Sequence, residues 1–336
     1  MINDLRFKIF YLFIGLFVYL LIGSISAKAA PLSLSIDPSI IEIYALAPST
    51  ATSNLTIQNK SDSEVNLRIE LRPFKPKFEN GELEYLSQPS TEYAENLPIF
   101  KNLQILDNKT PIQSLILGPS QQKNLTLNVN IPQDTNISDY YFSIIFISQT
   151  TSSPTSNASL NQLGIATNVL LSVGAKDTPN AVLREFSTRA FFEKGPVSFT
   201  LKVENKGTHF IKPKGEILIK NMFGQNIAKL DILRVNILSD SARAIPSVSF
   251  MQDLRAIDES KIKADLDFRN PKILWKESFL LGFYTAKLTL SISDDSPIFT
   301  KSIHFFAFPF QGLILIVIIA IAVTIIRNRL KAYMKK

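Results

Sequence analysis

From Phe305 to Ile326 the chain carries no charged residue, and from Leu313 onward it is almost pure Leu, Ile, Val and Ala. Lipid offers no partner to a bare peptide group, so such a run can cross a bilayer only as a helix. Pro309 belongs at the start of that helix, where a missing N–H costs nothing. A helix buried in a protein core would show a polar stripe, and none interrupts this run. Five basic residues and no acid follow at once: Arg327, Arg329, Lys331, Lys335 and Lys336. Positive charge beside a span marks the cytoplasmic side. The expectation is a single transmembrane helix over 309–326, a basic cytoplasmic tail over 327–336, and the bulk of the chain outside the cell membrane.

The other end agrees. Residues 1–29 run from a charged head with Arg6 and Lys8, through an apolar stretch, to Ala27-Lys28-Ala29. That is the layout of a secretory signal peptide cleaved between Ala29 and Ala30. An uncleaved anchor would also keep Arg6 and Lys8 inside, so the expected topology is the same either way. Charge follows the same division. The formal charge of +7 comes from 36 basic and 29 acidic residues. Residues 1–29 hold three basic and one acidic residue and residues 327–336 five basic and none, which leaves 28 of each sign between them. That neutral remainder has no electrostatic footprint for nucleic acid. It also has no cysteine, so burial alone holds it together, with no disulfide and no thiolate chemistry.

Between the two ends, apolar residues recur at every second position, the period of a half-buried strand. Leu32, Leu34, Ile36 show it, then Val65, Leu67, Ile69, Leu71, then Leu125, Leu127, Val129, Ile131. It returns in Phe199, Leu201, Val203 and in Leu288, Leu290, Ile292. No amphipathic helix competes with these patterns, and Glu79-Asn80-Gly81-Glu82 reads as a turn between strands. The fold class is therefore all-β, with two Ig-like sandwiches in tandem over 30–176 and 177–308. A faint repeat supports the pair. Leu55 to Asn59-Lys60 matches Leu201 to Asn205-Lys206, each a strand ending in an Asn-Lys turn, which singles out Asn59 and Asn205 as structural. Tyr140-Tyr141-Phe142 and Gly282-Phe283-Tyr284 open late apolar strands in each half, as a tyrosine corner does, which adds Tyr284. The boundary is set near Lys176-Asp177-Thr178-Pro179, and residues 149–161 form a Ser/Thr/Asn-rich excursion within the first domain.

A second excursion, residues 72–114, combines five prolines with Phe74, Phe78, Tyr85, Tyr93 and Phe100. Prolines keep central strands out of it. Loops carry recognition and aromatic anchors dominate interfaces, so these five aromatics are the candidate ligand-binding residues. The same rings can instead fill the core of the first domain. Catalytic chemistry has little to work with. The two histidines, His209 after an Asn-Lys-Gly turn and His304 ahead of the apolar run, read as a loop and an interfacial residue, and no G-x-S-x-G frames a nucleophile. Asp62-Ser63-Glu64 and Asp294-Asp295 sit at turns where solvated carboxylates belong, and no metal or cofactor motif is present. The acids leave room for a glycosidase-type carboxylate pair, and no motif marks one. Six Asn-x-Ser/Thr sequons occur, at Asn54, Asn59, Asn108, Asn124, Asn136 and Asn157. The chain is expected not to be an enzyme.

Several short runs carry a resemblance. Ser35-Ile36-Asp37-Pro38, Leu46-Ala47-Pro48-Ser49, Leu117-Gly118-Pro119-Ser120 and Ile131-Pro132 leading into Tyr140 to Phe146 resemble the N-terminal domain of the WxL-interacting proteins of bacterial surfaces. Val203 to Gly207, Pro213 to Ile217 and Gly282 to Ala286 are similar to the membrane-proximal domain of such proteins. Ser49 and Ser120 depart from the pattern, standing where the family's Pro-Gly turns have Gly. The resemblance implies two Ig-like domains, a C-terminal membrane anchor, and binding of cell-wall peptidoglycan or another surface protein. The alternative is a chaperone-like accessory subunit that assists an exported protein by β-strand pairing.

Overall fold

The computed structural model describes residues 32–79, 81–87, 98–149, 163–175, 179–247, 271–292 and 298–333, with backbone alone at 313, 315–317 and 328–333. The signal-peptide region with Ala29 and Ala30, the tail residues Lys335 and Lys336, Tyr93, Asn157, and the Asp294-Asp295 pair lie outside the described residues, as do Asn80 and the boundary residues 176–178.

The fold is mostly β, in several sheets that resemble tandem Ig-like sandwiches. Strands β1 (Leu34–Asp37), β3 (Ser49–Asn59), β9 (Gln122–Ile131), β6 (Leu103–Asp107) and β7 (Thr110–Pro111) form one sheet in that spatial order. A second sheet runs β2 (Ile40–Ala45), β11 (Gly164–Val173), β10 (Ser138–Ser148), β4 (Val65–Pro76) and β5 (Leu83–Tyr85), with β8 (Ser114–Leu117) also on β4. The first strand thus switches sheets: β1 pairs β3 antiparallel, whereas β2 pairs β11 in parallel. The second half repeats the device. There β12 (Ala181–Ser187), β14 (Val197–Asn205) and β17 (Ser241–Ala244) make one sheet, joined by β18 (Ile273–Trp275). Facing it are β13 (Phe191–Phe192), β20 (Ile298–Ala307), β19 (Gly282–Ser291), β15 (Lys214–Lys220) and β16 (Asn226–Asp231), with β13 parallel to β20.

Alternation explains both cores. Along β9 the apolar Leu125, Leu127, Val129 and Ile131 point inward and are essentially unexposed, while Asn124, Thr126, Asn128 and Asn130 face out. Along β14 the same period buries Val197, Phe199, Leu201 and Val203. At about 1.5–3 kcal/mol for each fully buried large apolar side chain, these ladders dominate the stability of each half. One expectation fails here. Strand β4 continues through Pro73 to Pro76, with Pro73 opposite Phe142 of the neighbouring β10. The Pro73 carbonyl still accepts the N–H of Leu86, so the ladder keeps its acceptor where the ring removes a donor.

Strand β20 ends at Ala307, and helix α1 (Phe310–Tyr333) begins three residues later. No acid lies in its own first turn, but Glu193 supplies one: its carboxylate accepts from the Gln311 backbone N–H at 3.0 Å and from Gln311 Nε2 at 3.2 Å. A negative charge at a helix N-terminus is favourable. Among the described residues no helix is long and apolar enough to cross a membrane, the side chains at 313 and 315–317 standing outside that set.

Candidate functional site

In most half-buried strands one face is wet, but β10 and β11 are covered on both. Tyr140, Phe142, Ile144 and Phe146 point into the first core, and the opposite face of the same strands carries Tyr141, Ser143, Leu170 and Ser172, which are also buried. The second half covers them. Phe74, Tyr141 and Leu170 from the first half pack with Phe210 and Leu238 from the second. Phe74 stacks on Tyr141 at 5.9 Å, and Tyr44 meets Phe210 at 5.2 Å.

A polar centre sits beside this apolar patch. The Asp139 side chain is 1% exposed and accepts three hydrogen bonds, from Tyr141 Oη at 2.5 Å, the Phe210 backbone N–H at 2.5 Å and His209 Nδ1 at 2.8 Å. Two of those three donors belong to the second half, so the carboxylate ties the halves together. Burial pushes the Tyr141 phenol well above its usual pKa, and the Asp139 charge adds to this, so the hydroxyl stays protonated and donates. A second tie is Glu42, whose Oε1 accepts from Lys212 Nζ at 2.8 Å and Asn236 Nδ2 at 2.7 Å. Burial alone would raise the Glu42 pKa, but the bonds from Asn236 and Lys212 and the charges of Lys212 and Arg234 hold it below its usual 4.5. A third is the β4–β5 turn, where the Phe78 carbonyl accepts the Ala242 N–H at 2.7 Å and Glu79 pairs with Lys202 at 3.0 Å.

Ser172, His209 and Asp139 meet here, an arrangement the sequence does not announce because the three lie far apart in the chain. They do not form a proton relay. Relay chemistry needs the hydroxyl on one imidazole nitrogen and the carboxylate on the other. Here Nδ1 lies 2.8 Å from both Ser172 Oγ and Asp139 Oδ1, while Nε2 is buried without a partner among the described residues. His209, read from sequence as a plain loop residue, is thus a buried joint of the two halves. His304 is exposed, with Nδ1 2.9 Å from Thr285 Oγ1. No group of three His, Cys, Asp or Glu gathers among the described residues, and Asp62 and Glu64 are exposed.

Of the described candidate aromatics, Phe74 and Tyr85 stand opposite each other in the β4–β5 pair and meet edge-on at 6.2 Å, while Phe78 and Phe100 have other partners. Phe74 is buried in the junction, and Phe100 packs on the first core edge-on to Phe142 at 5.6 Å. Phe78 is exposed, with the Arg184 guanidinium 5.9 Å from its ring centre. Tyr85 is exposed too, but its hydroxyl reaches Ser143 at 3.2 Å and Arg72 lies 5.6 Å over its ring. The excursion therefore docks the second half and closes the first core, and its described rings do not line one shared groove. The cavity at the junction is about 130 Å³, lined by Ile40, Phe74 and Leu170 on one side and Asn236, Leu238 and Arg243 on the other. Ligand pockets run to roughly 300–1,000 Å³, so this one is too small.

Asn59 and Asn205 make matching contacts at matching strand ends. Asn59 is fully buried, its Nδ2 donating to the carbonyls of Ser63, Leu117 and Gly118, its Oδ1 accepting from Ser61. Asn205 does the same at the matching strand end, with Nδ2 to the carbonyls of His209 and Ile237 and Oδ1 from the Gly207 N–H. Tyr284 Oη reaches back to the Leu281 carbonyl at 3.2 Å, as Tyr140 Oη reaches Asn136 O at 3.2 Å. Among the sequons, Asn59 is sealed, while Asn54 and Asn124 stand exposed and bond to Thr126 and Thr56.

Among the described residues, the first half leaves a strand edge and a sheet face open. The ladder between β2 and β11 starts at Asn168, and Thr167 is sealed with its Oγ1 donating to the Pro38 carbonyl at 2.7 Å, so Gly164–Ala166 has β10 on one side and no paired strand on the other among the described residues. The apolar Leu163 at its end is exposed. The outer face of the β3–β9 pair is a ladder of uncharged Thr and Asn, with Thr50, Thr52, Asn54 and Thr56 opposite Asn130, Asn128, Thr126 and Asn124.

No family model matches the sequence, and no curated protein does. Among solved structures the chain is similar to the class 5 fimbriae chaperone CfaA, at 12% identity over 80% of this chain and 98% of that one, with a TM-score of 0.37. It is similar to the YadV chaperone at 8% identity, over 81% of this chain and 99% of that one, with a TM-score of 0.32. The structure of Salmonella enterica SafA pilin in complex with the SafB chaperone matches at 12% identity over 81% and 97%, with a TM-score of 0.33.

Proposed function

We propose that the chain is a non-catalytic binding protein of the cell surface, anchored by helix α1, whose first half takes an extended segment of an exported partner by strand pairing. The observation that carries this reading is the stretch Gly164–Ala166, where β11 runs on beyond the end of β2 with no paired strand on that side among the described residues. An uncovered strand edge presents unpaired peptide groups, which a chain in extended form satisfies. The anchor reading rests on the charge-free run to Ile326 and on its described apolar side chains, Ile314, Ile318, Ile321 and Ile325 among them, which are all exposed on the helix surface. Water does not tolerate so large an apolar patch on a monomer.

The test is photo-crosslinking from the full chain in nanodiscs, with the reactive residue at Leu163 or Ala166 and, as a control, at Thr52 on the other sheet. Strand pairing predicts a crosslink to one exported protein from the first two positions alone, with slowed amide exchange at 164 and 166, whose N–H groups face away from β10. Crosslinks spread equally over all three positions, or no change in exchange, sink it. A second reading, wall-polymer binding of the kind WxL-interacting proteins imply, is favoured by the Thr and Asn ladder, an uncharged hydrogen-bonding face suited to hydroxyl-rich polymer. It predicts retention on isolated cell wall that Asn54→Lys abolishes.

A further inference from the structure

The end of the second sandwich nearest helix α1 is the apolar end. Register places four segments there: Gly282 opposite Ala307, Phe191 beside Phe306, and Lys220 opposite Thr285, which brings the β15–β16 turn to the same level. That turn exposes Met222 and Phe223, the latter 78% exposed, and Met222 packs against the Gly282 backbone. Phe279 and Leu281, just ahead of β19, are exposed as well, and Phe283 is 65% exposed. Rings connect these residues to the helix: Phe283 meets Phe306 at 4.7 Å, Phe306 meets Phe191 at 6.1 Å, and Phe191 meets Phe310, the first residue of α1, at 5.5 Å.

The aromatic character stops after one rung. On the outward face of β19 and β20 the pair Phe283–Phe306 is followed by Thr285–His304, Lys287–Ser302 and Thr289–Thr300. A surface for a protein partner has no reason to end at the level where the helix begins; a surface for a bilayer does. Length points the same way. From Phe310 to Ile326 the charge-free helix has 17 residues, or about 25 Å at 1.5 Å per residue. A hydrocarbon core is about 30 Å thick.

We infer that this aromatic rim is a lipid-contacting foot: Phe223, Phe279, Phe283 and their neighbours sink into the headgroup region around α1, making up the missing length and holding the sandwich upright. The inference rests on the anchor reading of α1. The backbone ties the helix start to the sandwich, since Phe308 N–H bonds Phe192 O and Phe310 N–H bonds Phe308 O at the turn into the helix.

The natural chain has no cysteine, so single nitroxide labels can be placed on the full protein in phosphatidylcholine vesicles at F223C, F283C, T300C and V323C. Thr300 lies six residues up β20 from Phe306, about 20 Å from the foot. The expected result is loss of contact with a water-soluble relaxer at 223, 283 and 323 but not at 300, with 223 and 283 about 5–10 Å below the headgroup boundary. If 323 is shielded while 223 and 283 are as wet as 300, the foot is wrong and the anchor stands. If 323 is as wet as 300, the anchor is wrong and the foot falls with it. Two separate foot positions keep the result readable should one label disturb folding.

Discussion

Replacing Asp139 by Asn keeps the size of the side chain and removes its charge. The native carboxylate is 1% exposed and meets only donors, Tyr141 Oη, the Phe210 N–H and His209 Nδ1. An amide offers one accepting oxygen and turns an NH2 group toward the remaining donors, so at least one native bond is replaced by two donors facing each other. Hydrogen bonds to charged groups contribute about 1.5–3 kcal/mol, and breaking a buried charged pair costs about 3–5 kcal/mol. The lower figure is reasonable because Tyr141 and Ser239 can still bond each other. About 3 kcal/mol corresponds to roughly a hundredfold in an opening equilibrium. The amide of Phe210 reports it directly, since its hydrogen is held by Asp139 itself. Hydrogen exchange at Phe210 is expected to accelerate about a hundredfold in Asp139→Asn, while amides in the middle of β9 and β19, deep in each separate core, keep their rates. The double variant with His209→Gln should lose less than the sum of the singles, because both remove the same contact. Unchanged exchange at Phe210, or strictly additive losses, refutes the view that this carboxylate couples the halves.

Other consequences follow from the same geometry. Asn59→Ala and Asn205→Ala each strand buried carbonyls and should each cost about 1–3 kcal/mol in denaturant unfolding, with the two losses adding because the sites lie in different cores. Gly81 has a φ of 65° and a Cβ there would lie 2.8 Å from Arg243 Nε; Gly81→Ala should cost about 1–2 kcal/mol for the backbone alone and loosen the β4–β5 turn from Ala242, read by exchange of the Ala242 amide. Because the Glu42 pKa is held below its usual 4.5, its tie to Lys212 and Asn236 contributes above that value and fades as pH falls through the lower folded-state value; Glu42→Gln should lessen the acid-side loss of stability below about pH 4.5 in pH-dependent melting curves. The Tyr44 phenol, raised to about 12 first by burial and then by Glu42 and Asp139, should vanish from the late end of an absorbance titration in Tyr44→Phe.

The sandwiches themselves were legible because their strands alternate, and alternation is a local property: β9 and β14 carry it in unbroken form. The Asn-Lys turns were legible for the same reason, since the repeated strand end needs the same cap in each half. The junction was not, although it left a trace. Tyr140 to Phe146 and Leu170 to Val173 are apolar runs broken only by Ser143 and Ser172, too rich for strands with one wet face. In sequence they read simply as apolar strands; in the structure the second face is explained by Phe210 and Leu238 arriving from the other half. His209 and Asp139 could not be paired in advance because nothing local links residues 70 positions apart. Pro73 misled because its rule concerns the lost donor, whereas the ladder there uses its carbonyl.

Placement of the chain is tested most directly in whole cells stripped of wall, using the cysteine-free background. Single cysteines at Thr300 and at Lys335 are treated with a maleimide that does not cross membranes. Rapid modification of Thr300→Cys is expected in intact cells and of Lys335→Cys only after lysis, with both variants sedimenting with the membrane fraction. Modification of both positions before lysis, or recovery of the intact chain in the soluble fraction, would contradict that placement.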